Sequence, residues 1–147
     1  MFKIDETKAT GKLTVEIKDK HGKVKDTREV NILVVDTGLA FIASRMKDAT
    51  ATAMSHMGIG TGTSAAASGD TTLGTEAARV ALTSTTVTSN AVAYVASFAA
   101  GTGTGAITEA GILNGASGGT LLCRTVFSVV NKAASDSMTI TWTVTIS

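Results

Sequence analysis

From Met138 to Ser147 the chain alternates apolar and hydroxyl side chains without a break. Successive side chains of a strand point to opposite faces, so Met138, Ile140, Trp142, Val144 and Ile146 share one surface, and four threonines with Ser147 share the other. The β-branched residues that make up most of this run suit a pleated strand and disfavour a helix. The pattern therefore predicts a half-buried strand over 138–147, with a core layer on one side and an uncharged hydroxyl surface on the other.

The same period recurs upstream. Leu13, Val15 and Ile17 alternate with Thr14, Glu16 and Lys18, a polar turn Asp19-Lys20-His21-Gly22 follows, and Val30, Ile32 and Val34 continue the pattern. This predicts an N-terminal β-hairpin over 12–35 with one apolar and one charged face. Asp36-Thr37 supplies a cap, and Leu39, Ile42, Ala43 and Met46 follow at helical spacing, predicting one short helix over 37–48 with those four as its buried stripe. Further strands are expected near 54–61, 77–88, 91–99, 106–114 and 120–130. Thr88-Ser89-Asn90 forms a tight turn, and Gly111 marks a bulge or a close backbone contact.

Loops at 62–75, 100–105, 114–119 and 131–137 are rich in Gly, Ser, Thr, Asn and Asp. The expected architecture is mainly β: an antiparallel sandwich or barrel with one short helix and an N-terminal hairpin. At 147 residues the chain is read as a single domain. It divides into a charged N-terminal hairpin or arm (1–35), a helix (36–48) and a β body (49–147).

Charge is segregated. Residues 1–48 carry ten Lys/Arg and eight Asp/Glu, whereas residues 49–147 carry only Arg79, Arg124, Lys132, Asp70, Glu76, Glu109 and Asp136. A body so far below the usual charged fraction of about 25% is expected to meet other protein over much of its surface. The net charge of +1 argues against a general nucleic-acid binder. No basic start with an apolar run marks a signal peptide, and no apolar stretch is long enough for a membrane helix, so a soluble protein made in the cytoplasm is expected. One cysteine, Cys123, excludes an internal disulfide and a cysteine-based zinc cluster.

Gly58-Ile59-Gly60-Thr61-Gly62 and Gly101-Thr102-Gly103-Thr104-Gly105-Ala106 superficially resemble phosphate cradles. Neither has the Gly-Lys-Ser/Thr of a Walker loop, and the second runs into strand-like residues with no acid between Glu109 and Asp136, so turns or loops are expected. His56 and Cys123 could form a thiol–imidazole pair, but no third orienting group accompanies them. Cys123 reads as a buried structural thiol, and His56 as a strand residue that hydrogen-bonds across a strand or faces a subunit boundary. No catalytic residue, metal site or cofactor is expected.

Glu76, Arg79, Glu109 and Arg124 interrupt otherwise neutral strands, and charges are rarely buried unless paired. Either all four face solvent, or a glutamate pairs with an arginine, inside the fold or across subunits. Lys12, Lys18, Lys20, Lys23, Lys25 and Arg28 interleave with carboxylates, which reads as a solvated ribbon face and a candidate docking arm rather than a nucleic-acid arm.

One order of segments carries a resemblance. Val34-Val35-Asp36-Thr37-Gly38-Leu39-Ala40-Phe41-Ile42-Ala43 is followed by Met54-Ser55-His56-Met57-Gly58-Ile59-Gly60-Thr61-Gly62. Then come Asp70-Thr71-Thr72-Leu73-Gly74-Thr75-Glu76 with Arg79, and Ile107-Thr108-Glu109-Ala110-Gly111-Ile112-Leu113. Arg124-Thr125-Val126-Phe127-Ser128-Val129-Val130-Asn131-Lys132 leads into the closing strand. From about residue 31 onward this resembles small virion proteins of tailed bacteriophages and is similar to the virion-proximal domain of some phage tail fibres. The resemblance implies a sandwich-like virion component, assembled in the bacterial host, that self-associates as a dimer or trimer and docks on other virion proteins.

A fibre domain would be followed by a shaft, and the sequence stops at Ser147. The leading expectation is thus a non-enzymatic capsid decoration (cement) protein that bridges shell subunits. It would bind the major capsid protein or another virion protein, with neither nucleic acid nor membrane as partner, and deletion of residues 1–30 is expected to abolish docking while sparing the body. The alternatives are a tail, baseplate or fibre-attachment component, and a carbohydrate-binding sandwich on the virion surface.

Overall fold

The computed structural model describes residues 9–146; the first eight residues of the expected arm and Ser147 lie outside the described residues. Nine antiparallel strands and one helix follow in the order β1 (Ala9–Lys18), β2 (Val24–Val34), α1 (Asp36–Lys47), β3 (His56–Gly60), β4 (Glu76–Ala81), β5 (Ser84–Thr88), β6 (Ala91–Phe98), β7 (Gly105–Leu113), β8 (Leu121–Lys132) and β9 (Ser137–Ile146). They form one curled sheet ordered β4-β3-β7-β8-β2-β1-β9-β6-β5. The fold is mainly β, with one helix among the described residues, as expected for a sandwich- or barrel-like body.

The curl is visible in the chain path. β4 and β5 occupy opposite edges of the sheet yet are joined by only Leu82 and Thr83. Leu82 N–H donates to Ser55 O at 2.9 Å on the β3 side, and Thr83 N–H to Val95 O at 2.7 Å on β6. The single strand expected over 77–88 is thus two strands. The inward-facing set shifts phase there, from Ala78 and Val80 in β4 to Thr85 and Val87 in β5, and the expectation of one strand read across that shift. The Thr88-Ser89-Asn90 turn closes the β5–β6 hairpin, with Ser89 in the left-handed region at φ 55°.

The core follows the alternation. Met138, Ile140, Trp142 and Val144 of β9 face Leu13, Val15 and Ile17 of β1 and Tyr94, Ala96 and Phe98 of β6 across a shared inner surface. Ile59, Ile107, Ala110, Ile112, Cys123 and Phe127 complete it from the other half. The Trp142 indole N–H is buried without a hydrogen-bond partner.

The hairpin corrects the expected organisation. β1 pairs with β2 on one side and with β9 along its whole length on the other, so it is a central strand rather than an arm. Its apolar alternation needed a surface to cover, and that surface is the core of the body. Among the described residues the hairpin is therefore built into the sheet rather than set apart from the body.

The helix corrects a second expectation. No side chain caps its start; Thr37 Oγ1 instead donates to Leu121 O at 2.8 Å. Gly38 is buried against the backbone of Leu122, where a Cβ would have no room. Phe41 and Ile42 pack on the core beside it, while Leu39 and Met46 stay 47% and 85% exposed. Backbone proximity at Gly38 rotates the helix away from the stripe that spacing alone selects.

Candidate functional site

The most constructed polar site lies on the outer face of β3, β7 and β8. Register places Gly58 beside Gly111 and Gly111 beside Arg124, all on the face opposite the core residues Met57, Ile112 and Cys123. Lacking side chains, the two glycines leave a trough in which Leu73 lies; a Cβ on Gly111 would meet Leu73 Cδ2 at 2.8 Å and Cys123 O at 3.1 Å. Of the two roles expected for Gly111, close contact is the one found; the register shifts in β7 fall at its neighbours 107/109 and 112/113.

Over this trough runs the β3–β4 connection, fixed by one carboxylate. Glu109 is fully buried, and its Oε2 accepts N–H bonds from Gly62 at 2.6 Å and Thr75 at 2.7 Å. Its Oε1 accepts from Gly74 N–H at 2.7 Å and from Arg124 Nε at 3.1 Å. Arg124 extends the network to Asp70 Oδ2 at 2.8 Å and Ser64 O at 3.0 Å.

Burial pushes the Glu109 carboxyl pKa up, but the three N–H donors and the guanidinium outweigh it and hold the group below its ordinary value. Asp70 is also held low, chiefly by the Ala67 N–H, against burial and with help from Arg124. Each oxygen of Glu109 already accepts two donors, so the network ties a loop down and leaves no oxygen poised for proton transfer.

The second pair is more exposed. Arg79 donates to both oxygens of Glu76 at 2.6 and 2.7 Å, and its remaining nitrogen reaches Gly115 O and Gly118 O of the β7–β8 loop at 2.9 and 2.8 Å. All four charges of the quartet have partners within this one chain. Asp70 was missed as the fifth member, because its reach depends on a loop path that no periodicity encodes.

His56 and Cys123 do not meet. Register puts His56 in line with Leu113 and Cys123 in line with Ile112, on opposite faces of the sheet. His56 Nδ1 lies 2.8 Å from Ser55 Oγ, while Cys123 is fully buried and burial pushes its thiol pKa well up. A thiolate is thus strongly disfavoured there. The glycine segments are strand β3 and the β6–β7 loop, with positive φ at Gly101 and Gly103 in the latter.

The hairpin cations face outward or sideways onto carboxylates. Lys12 meets Glu29 at 2.9 Å, Lys18 meets Glu16 at 3.5 Å, Arg28 meets Asp26 at 3.1 Å and Lys25 meets the buried Asp136 at 2.7 Å. Lys20 and Lys23 are exposed at the turn. The mixture gives no single-signed field.

An extended uncharged surface is the outer face of β9, β6 and β5. Thr139, Thr141, Thr143 and Thr145 lie beside Ser97, Val95, Ala93 and Ala91, which lie beside Ser84, Thr86 and Thr88. From residue 80 to residue 108 the chain has no charged side chain. Where this face meets β1, Thr10, Thr14, Asn31 and the Lys12–Glu29 pair border an open trough of about 580 Å³. No family model, curated protein or solved structure matches this chain.

Proposed function

We propose that the protein is a non-enzymatic structural component of a tailed-phage particle, and within it a capsid decoration protein. The observation that carries the reading is the threonine–alanine face of β9, β6 and β5. Covering such a surface with protein costs little, because no charge must leave water, whereas burying an unpaired charge costs several kcal/mol or more. The paired charges of the hairpin rim this face along β1, so recognition would be supplied by the sheet surface with its rim.

Decoration stabilises by mass action: a partner present at 100 times its dissociation constant adds about 2.7 kcal/mol to the bound assembly. Carbohydrate binding receives less support, because neither Trp142 nor Tyr94 lines the trough where a sugar would lie. Labelling the protein in intact particles tests the proposal: label over the head supports it, and label confined to the tail, or none, overturns it.

A further inference from the structure

The two edges of the sheet are treated differently. β4 carries Glu76 and Arg79, and the Arg79 guanidinium is bonded to carbonyls of the 114–119 loop. Charged side chains on an edge strand are one way proteins keep it from pairing with another chain. β5 has no such protection. It pairs only with β6, all five of its residues are exposed, and it carries no charge and no proline. Val87 is 69% exposed.

The edge is also nearly symmetric about its centre. Reading outward from Thr86, Thr85 matches Val87, Ser84 matches Thr88 and Thr83 matches Ser89, each pair similar in size. An antiparallel copy centred on Thr86 would set Thr86 opposite Thr86, and Val87 opposite Thr85. Register with Tyr94 and Val92 places Thr85 and Val87 on the inner side of the sheet. There Val92 and Tyr94 border a largely apolar groove of about 310 Å³, with Ile42, Arg45 and the exposed Met46 of α1 on its other side. A charged strand docking here would lose solvation on a neutral edge that returns no partner, whereas a second β5 loses none.

We propose that the free edge of β5 pairs antiparallel with β5 of a second copy, on a two-fold axis at Thr86. This extends both sheets into one and brings Val87 of each copy over the apolar groove. A five-residue contact is small against the roughly 1,200–2,000 Å² of a standard interface, so the dimer forms reversibly and depends on concentration. The inference deepens the decoration reading, and rests on it only for the role of the assembly.

Sedimentation velocity on the full-length chain, over roughly 10–300 µM to span a weak equilibrium, tests the pairing. Wild-type protein should pass from monomer to dimer across that range. Thr86→Lys and Thr86→Glu each place like charges directly opposite one another, which disfavours a strand pair. Each alone should weaken association by up to about fivefold, and an equimolar mixture of the two should restore it as a heterodimer. Because Thr86 is exposed, circular dichroism of each variant should match wild type.

A wild-type monomer at every concentration overturns the pairing, as does a Thr86→Lys protein that dimerises like wild type, or a mixture that fails to recover. Head labelling with a monomeric wild-type protein in solution would refute this edge alone. A dimer that is absent from heads would refute the decoration reading alone.

Discussion

At the scale of single residues, one carboxylate organises the outer face. Removing Arg124 leaves Glu109 buried with three backbone donors still in place. Removing Glu109 orphans all three backbone donors and leaves the guanidinium with only Asp70 and Ser64 O. Breaking a buried pair costs about 3–5 kcal/mol, so Arg124→Ala should destabilise by about 3 kcal/mol and Glu109→Ala by more; urea unfolding measures both. The reverse order would contradict the network.

Acid should undo the same site. A carboxyl held below its ordinary pKa contributes stability that is complete above that value and is lost as pH falls through the folded one. The wild-type thermal midpoint should therefore drop below about pH 4, and Glu109→Gln, already weaker at neutral pH, should drop less over the same range. Equal slopes for the two would exclude Glu109 as the source. A glutamate and an arginine standing alone in neutral strands are visible in the sequence as groups that need partners. The three N–H donors are not, since Gly62, Gly74 and Thr75 come to Glu109 only through the folded path of a loop.

At the scale of elements, alternation gave the strands and fell short where backbone contacts decide. The hairpin, the closing strand and the Ser89-Asn90 turn are all legible, because period and turn chemistry are local. The break at Leu82–Thr83 is marked only by a shift of phase, with Ala78 and Val80 facing inward before it and Thr85 and Val87 after it, and small residues around it blur that shift. The rotation of α1, set by Gly38 against Leu122, is not legible. The hairpin shows how far pattern alone can mislead about organisation: a charged, amphipathic ribbon reads as an appendage until its apolar face is given a place.

Leu13, Val15 and Ile17 are fully buried. At about 1.5–3 kcal/mol for each side chain, they rival the whole stability of a typical domain, about 5–15 kcal/mol. Deleting residues 1–30 should therefore abolish the cooperative thermal transition rather than spare a folded body. A truncated chain that melts cooperatively near the wild-type temperature would contradict the central place of β1.

At the scale of the molecule, two surfaces follow from one topology. Curling brings β4 round to β6, and two residues carry the chain from one edge strand to the other while the outer edge of β5 stays open. The half around β3, β7 and β8 is covered on its outside by a loop tied to Glu109. The half around β9, β6 and β5 is left uncovered, neutral and rich in threonine. That asymmetry is what the decoration proposal explains: the loop gives one side a finished surface, and the other is open to a neighbour. Electron micrographs of intact particles carrying a label on this chain test it most directly. The account predicts label distributed regularly over the head surface; label found only on the tail, or particles that contain none of the protein, would contradict it.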